Sequence, residues 1–224
     1  MKYKAIKSEN KNLCKECGGR CCKNGGCAYI PEDIENICLE EIEKLLDTGR
    51  VSIAASLSFK RAKNQKPIAE PTLYIRERDI NRDVIDLISV RSACASLENN
   101  HCHYTEIDDR PSMGATMVPS FPDECKSTIR TSEFLEYWQP YQKVLMRIVK
   151  KRSGMSFDEK LSEDVVELFR KIYSKDLREY ESVSSFHRMA GLLKSFQLVF
   201  PEEAKRGKEK ALANTPFALL RKYQ

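Results

Sequence analysis

Five of the chain's nine cysteines fall within fourteen residues, as Cys14-Lys-Glu-Cys17-Gly-Gly-Arg-Cys21-Cys22 followed by Cys27. Two thiolates separated by two residues reach one cation because the turn between them carries both sulfurs to the same side. Gly18 and Gly19 supply the permissive backbone for that turn, and Gly25-Gly26 supplies another that returns Cys27 towards the same place. The adjacent Cys21 and Cys22 do not serve one ion equally well. One binds, while the other bridges to a second metal or points into the core.

A second group lies far along the chain: Cys94, Cys102, His103 and Cys125, with His101 nearby. Metal sites commonly draw ligands from two distant segments and so close a long loop. Such closure would order Arg91 to Cys125, which carries Gly, Pro, Asn and Asp with little hydrophobic period, and which is long for a connection inside a compact domain. Setting Cys38 aside leaves eight cysteines of the nine. That is the complement of two four-thiolate tetrahedral sites, or of one iron–sulfur cluster with spare thiols. Thiolate-rich tetrahedral sites select zinc or iron–sulfur, zinc being the first choice here and iron or a [4Fe-4S] cluster the alternative. His103 is a further ligand or an outer-shell donor, and His187 lies in a helical stripe and is read as structural.

Rival uses of the thiols fit less well. Disulfide staples need an oxidising compartment, whereas Met1 to Asn12 is charged and lacks the apolar centre of an export signal, so a reducing cytoplasm is expected. A redox Cys-x-x-Cys ordinarily sits in a βαβ pattern that is not visible here. No apolar run approaches the ~18 residues that span a bilayer. Lys plus Arg exceed Asp plus Glu by 38 to 33, a net +5, but both signs are interspersed rather than gathered on a stripe, so nucleic acid is not the expected partner. With 41% hydrophobic and 32% charged residues in 224, the chain has the balance of a folded protein.

The expected fold is mainly α with a small β component, a metal-stabilised cysteine-rich N-terminal half (1–130) packed on a helical C-terminal half (131–224) in one compact unit. Ile34, Ile37, Cys38, Ile42, Leu45 and Leu46 follow a 3.6-residue period, predicting a helix over Pro31 to Thr48 stopped by Gly49, with Cys38 a small buried hydrophobe on its apolar face. Pro67 and Pro71 mark a connection, and Leu73 to Arg78 alternates as a short strand would. Asp83 to Val90 reads as a helical turn or a strand. Arg91 to Cys125 reads as ordered loop with a short strand at Ala115 to Val118. Beyond Cys125 cysteine disappears and helical period takes over. Phe134 to Val149 predicts a helix broken or started at Pro140, and Ser162 reads as the N-cap of a helix carrying Val165, Leu168, Phe169, Ile172 and Tyr173. Phe186 to Phe196 forms another stripe ended by Pro201, and Thr215-Pro216 opens a last short helix.

The succession Cys14-x2-Cys17-x3-Cys21-Cys22, then Pro31-x-Asp33-Ile34, then Cys94, Cys102 and Arg110-Pro111 resembles the CxxCxxxCC (YkgJ-like) zinc- or iron-chelating family. The resemblance covers about Asn12 to Cys125 and implies Cys14, Cys17, Cys21, Cys22, Cys94 and Cys102 as ligands. Many members carry a further cysteine three residues after the Arg-Pro pair, a position held here by Gly114; Cys125 is the candidate to replace it. A more distant likeness is to flagellin lysine N-methylases, although their spacing and the tryptophan after the cysteine pair are missing, Lys23 following Cys22 instead.

Three functions follow. The first is a metal-ordered module, its metal site formed by Cys14, Cys17, Cys21, Cys22, Cys27, Cys94, Cys102 and Cys125, whose surface meets a protein or peptide. The second is a metal-dependent enzyme modifying a protein or peptide, with Asp33, Asp108, Asp109, His103 and Arg110 as acid, base and anion-holding candidates. The third is an iron–sulfur redox protein.

Overall fold

The computed structural model describes residues 27–60, 68–78, 83–88, 94–98, 101–102, 110–120, 124–174 and 194–213. The predicted first helix is there, but in two pieces. Pro31–Asp33 forms a single 3-10 turn, Ile34 is extended, and the α-helix proper, α1, is Leu39–Asp47. The cause is Asp33, whose carboxylate accepts the Ile30 N–H at 2.8 Å and closes the turn on itself. Cys38 is therefore the extended N-cap of α1, a half-buried free thiol rather than a core residue of the helix face. Gly49 stops the helix as expected: its φ of 71° is in the left-handed region, and its N–H donates to the Leu46 carbonyl at 3.0 Å.

Beyond Gly49 the chain forms β1 (Val51–Lys60), paired antiparallel with β2 (Ile68–Glu77) from Val51 opposite Glu77 to Lys60 opposite Ile68. The expected strand at Leu73 to Arg78 is thus the end of a longer one, and Pro71 lies inside β2 opposite Leu57 rather than in a connection. β1 gave little periodic signal because its first half is covered on both sides: Val51 and Ile53 are buried, and so are Ser52 and Ala54. Both outer edges of this ribbon are occupied. The stretch 83–88 runs beside β1, with Ile53 N–H donating to the Val84 carbonyl and Ala55 N–H to that of Leu87, which makes part of the ambiguous Asp83 to Val90 segment strand-like. Along β2, residues 27–29 supply backbone bonds, and the Gln142 side-chain amide both accepts from Leu73 N–H and donates to Leu73 C=O at 2.9 Å. Such cover removes the open edge that invites association.

Residues 97–98 and 101–102 form the two-residue strands β3 (Leu97–Glu98) and β4 (His101–Cys102). A single helical turn, α2 (Ser112–Ala115), leads into the hairpin of β5 (Met117–Ser120) and β6 (Glu124–Ser127). The expected loop therefore holds more regular structure than its sequence suggests. Pro140 breaks the next helix as predicted. α3 (Thr131–Trp138) ends in a 3-10 turn at Gln139–Tyr141, and α4 (Gln142–Ser153) follows. Phe134, Leu135, Trp138, Leu145, Ile148 and Val149 are all buried, and Phe134 meets the Tyr74 ring of β2 edge-on at 5.0 Å. Trp138 adds a polar tie, its indole N–H reaching the Tyr29 carbonyl at 2.8 Å.

The chain divides into two compact units, Met1–Gly154 and Met155–Gln224, so that α3 and α4 belong with the sheet. The second unit contains α5 (Phe157–Tyr173), helical residues 194–199 and α6 (Pro201–Ala213). Ser156, not Ser162, is the N-cap of α5. Its hydroxyl accepts from Glu159 N–H while the Glu159 carboxylate accepts from Ser156 N–H, the reciprocal box expected of Ser-x-x-Glu. Ser162 lies inside the helix and bonds instead to Glu203 and Arg206 of α6. Of the expected stripe, Val165, Leu168 and Phe169 are buried as core, whereas Ile172 is half-buried and Tyr173 is exposed. Pro201 opens α6, its missing N–H costing nothing at a first turn. α5 and α6 approach closely at Gly207, where a Cβ would come within 2.5 Å of Phe169 Cβ and 2.6 Å of the Val166 carbonyl oxygen. The stripe residues before 194 and the Thr215-Pro216 helix lie outside the described residues. The described fold is mainly α with a small β component, and no described helix is long and apolar enough to cross a membrane.

Candidate metal centre

The cysteines expected to ligate a metal fall in three groups. Cys14, Cys17, Cys21 and Cys22 lie outside the described residues, as do His103, Asp108, Asp109 and His187. Cys102 and Cys125 are placed by their backbone alone, opposite Leu97 in the β3–β4 pair and opposite Pro119 in the β5–β6 hairpin. His101 stands opposite Glu98. Cys27 and Cys94 are described in full, the first half-buried and the second buried.

Cys27 is fixed by the sheet edge: its carbonyl accepts the Glu77 N–H at 2.8 Å, and Tyr29 N–H donates to the Ile75 carbonyl at 2.9 Å. Its sulfur lies against Gly114 in α2, in the space where a side chain at that position would begin, so that a Cβ on Gly114 would overlap Cys27 Sγ. The same neighbourhood holds Arg110, whose Cβ is 4.0 Å from that Cβ position. Gly114 therefore has a physical reason to be glycine.

Asp33 makes the second link between these remote stretches. Its carboxylate accepts the Ser112 N–H at 2.9 Å and the Ser112 hydroxyl at 2.5 Å, so the turn at Pro31–Asp33 is bonded to the first residue of α2. Burial pushes the Asp33 carboxyl above its ordinary value, against the opposing pull of the hydrogen bonds from Ser112 and Ile30 and with a small repulsion from Glu32. A carboxylate with three donors at a chain junction is occupied structurally, which speaks against the acid–base role weighed for it. Through Asp33–Ser112 and Cys27–Gly114, the two short sequences Pro31-x-Asp33-Ile34 and Arg110-Pro111 come together, although nearly eighty residues part Asp33 from Ser112.

Cys94 opens a tight turn in which Leu97 N–H donates to the Cys94 carbonyl at 3.0 Å. Ser96, within this turn and fully buried, donates to Glu77 Oε2 at 3.3 Å and accepts from Arg50 Nη2 at 2.8 Å. The Tyr29 hydroxyl donates to the other carboxylate oxygen, Glu77 Oε1, at 2.8 Å. Glu77 was not singled out from the sequence. In the sequence it is one of several polar residues of its strand, with Glu70, Thr72 and Arg76, and nothing local sets it apart. Nor did the sequence flag Ser112 or the contact made by Gly114, since both depend on long-range placement.

Among the described residues, no three His, Cys, Asp or Glu side chains are gathered as ligands of one ion. The two fully described thiols each sit on a segment fixed by other contacts, Cys27 half-buried against Gly114 and Cys94 buried at the start of a tight turn. The chain matches no protein-family model, no curated protein and no solved structure, so its resemblance to the CxxCxxxCC family rests on the quoted residues alone.

Proposed function

We propose that the chain is a cysteine-ligated metal-binding protein of the CxxCxxxCC type that works in a reducing compartment, the cytoplasm. Its metal orders the cysteine-rich region, whose surface then meets a protein or peptide partner. The ligands are drawn from Cys14, Cys17, Cys21, Cys22, Cys27, Cys94, Cys102 and Cys125. Zinc is the first choice, with iron or a [4Fe-4S] cluster as the alternative. Bound zinc would supply a closed, four-coordinate anchor rather than a reacting centre, because four protein thiolates leave no open position.

The observation that carries this reading is the crowding of Cys14, Cys17, Cys21, Cys22 and Cys27 in one Gly-rich stretch. It is supported by the junction of the 27–33 and 110–114 segments, where the Cys27 thiol sits on Gly114 and Asp33 holds Ser112. A chain with a cysteine-bearing segment already docked on a distant one has met part of the loop-closure entropy that a shared metal would otherwise have to offset.

The test is elemental mass spectrometry of untagged, anaerobically purified protein, with each of the eight cysteines replaced singly by serine. Stoichiometric zinc that is lost on replacing cysteines from both groups is the expected result. A brown protein containing iron and acid-labile sulfide would move the assignment to a cluster, and a metal-free protein with fully reactive thiols would refute it.

A further inference from the structure

Two cysteines from different parts of the chain are held by one residue. Glu77 donates its backbone N–H to the Cys27 carbonyl at 2.8 Å, and its carboxylate accepts from Ser96, two residues beyond Cys94 in the turn that Cys94 begins. The carboxylate is also the acceptor for the Tyr29 hydroxyl, two residues beyond Cys27. Main chain and side chain of a single residue thus grip both cysteine-bearing segments. Glu77 is fully buried, as is Ser96, and the pair is extended by Arg50, whose guanidinium donates to Ser96 Oγ.

A buried carboxylate is costly unless hydrogen bonds hold it, and when they do it fixes its partners more firmly than a neutral acceptor would. Burial without a structural or chemical return is uncommon for Glu. The return here is geometric. Cys27 and Cys94 ride on segments too short and too irregular to set their own separation: an edge stretch of three residues and a four-residue turn. The Arg50–Ser96–Glu77–Tyr29 chain sets it for them.

We infer that Glu77 is a positioning residue for the thiol centre, fixing Cys27 and Cys94 relative to one another through Tyr29 and Ser96 without itself ligating. The inference rests on the metal-binding reading above. In metal sites, the outer groups that orient ligands are worth about ten- to a hundred-fold in affinity when removed.

Three variants separate this role from simple folding. Glu77→Gln keeps the shape and one acceptor but loses the charge. Ser96→Ala cuts the side-chain link alone and leaves the Glu77–Cys27 backbone bond in place, and Ser96→Thr restores a hydroxyl. The expected result is a ten- to hundred-fold weaker zinc affinity for Glu77→Gln and Ser96→Ala by chelator competition, with recovery in Ser96→Thr. In the metal-free protein the alkylation rate of Cys94, followed by peptide mass spectrometry, should rise in the first two variants and fall back in the third. Should Glu77→Gln fail to fold, the Ser96 pair decides alone. Unchanged zinc affinity and unchanged Cys94 alkylation in Ser96→Ala would overturn the role of Glu77 while leaving metal binding intact. Wild-type protein that takes up no zinc would instead overturn the metal reading on which the role rests.

Discussion

The second compact unit and the stretch from 94 to 127 order themselves by different means. In α5 and α6 the decisive contacts are either local or apolar: a Ser156–Glu159 capping box, a buried Val165, Leu168 and Phe169 stripe, and a glycine that lets two helices touch. Among the described residues of 94–127 the regular elements have two to four residues, and ties run to distant positions, from Ser96 to Glu77 and from Ser112 to Asp33. The first kind of order comes from burial along an amphipathic face. The second needs other segments already in place, here those that carry Glu77 and Asp33.

This difference can be broken open by experiment. The largest effect is expected on stripping metal from the full chain. Hydrogen exchange should accelerate at 94–98 and 110–120 while α5 and α6 keep their protection, since thiolate–metal binding energy becomes folding energy only where apolar burial is scarce. Equal acceleration in both regions would remove the contrast. Next is Gly207→Val, which drives a branched side chain into Phe169 and the Val166 carbonyl and should lower the melting stability of the second unit by about 1–3 kcal/mol or more. Its effect on 94–127 should be nil.

Asp33→Ala tests the polar ties in isolation. It leaves the donors of Ile30 and Ser112 without their acceptor and should cost about 1–3 kcal/mol, read by denaturant unfolding. The pH dependence of this site has a defined sign. The folded carboxyl titrates above its ordinary 3.8, so folding favours the protonated form. The advantage this confers is complete below 3.8 and is lost as pH rises through the folded value. Wild type should accordingly lose stability relative to Asp33→Asn over the interval just above pH 3.8, and the opposite slope would show that the hydrogen bonds outweigh burial. The smallest effect expected is in the helical unit: Ser156→Ala should cost about 1 kcal/mol, and Ser162→Ala less than about 0.5 kcal/mol.

What could be read from the sequence follows the same division. The α3–α4 break at Pro140, the Gly49 stop and the Val165–Phe169 core were legible because each is a local rule applied to local residues. The cap of α5 was misplaced by six residues because Ser162 also precedes an apolar stripe, whereas only Ser156 has a glutamate three positions later. β1 shows no readable alternation because its first half is covered on both sides, and 83–88 is too short for the burial of Ile85 and Leu87 to distinguish a strand from a helical turn in the sequence. The break after Asp33 was invisible in the helical pattern, since a bond to Ser112 far downstream accompanies it. The cysteine cluster from Cys14 to Cys27 was legible as a pattern, its first four members lying outside the described residues. The seat of Cys27 on Gly114 and the grip of Glu77 on both cysteine segments were not, being properties of the assembled chain.

The central claim is that sulfurs from two remote stretches share a cation, and thiol footprinting tests it most directly. Untagged protein is alkylated with and without a zinc chelator, and each cysteine is followed by peptide mass spectrometry. The account predicts chelator-dependent protection in both groups at once, with members of Cys14 to Cys27 and of Cys94 to Cys125 unmasked together, while Cys38 reacts equally in both conditions. Protection confined to one group, or thiols that become reactive only on reduction, would contradict it.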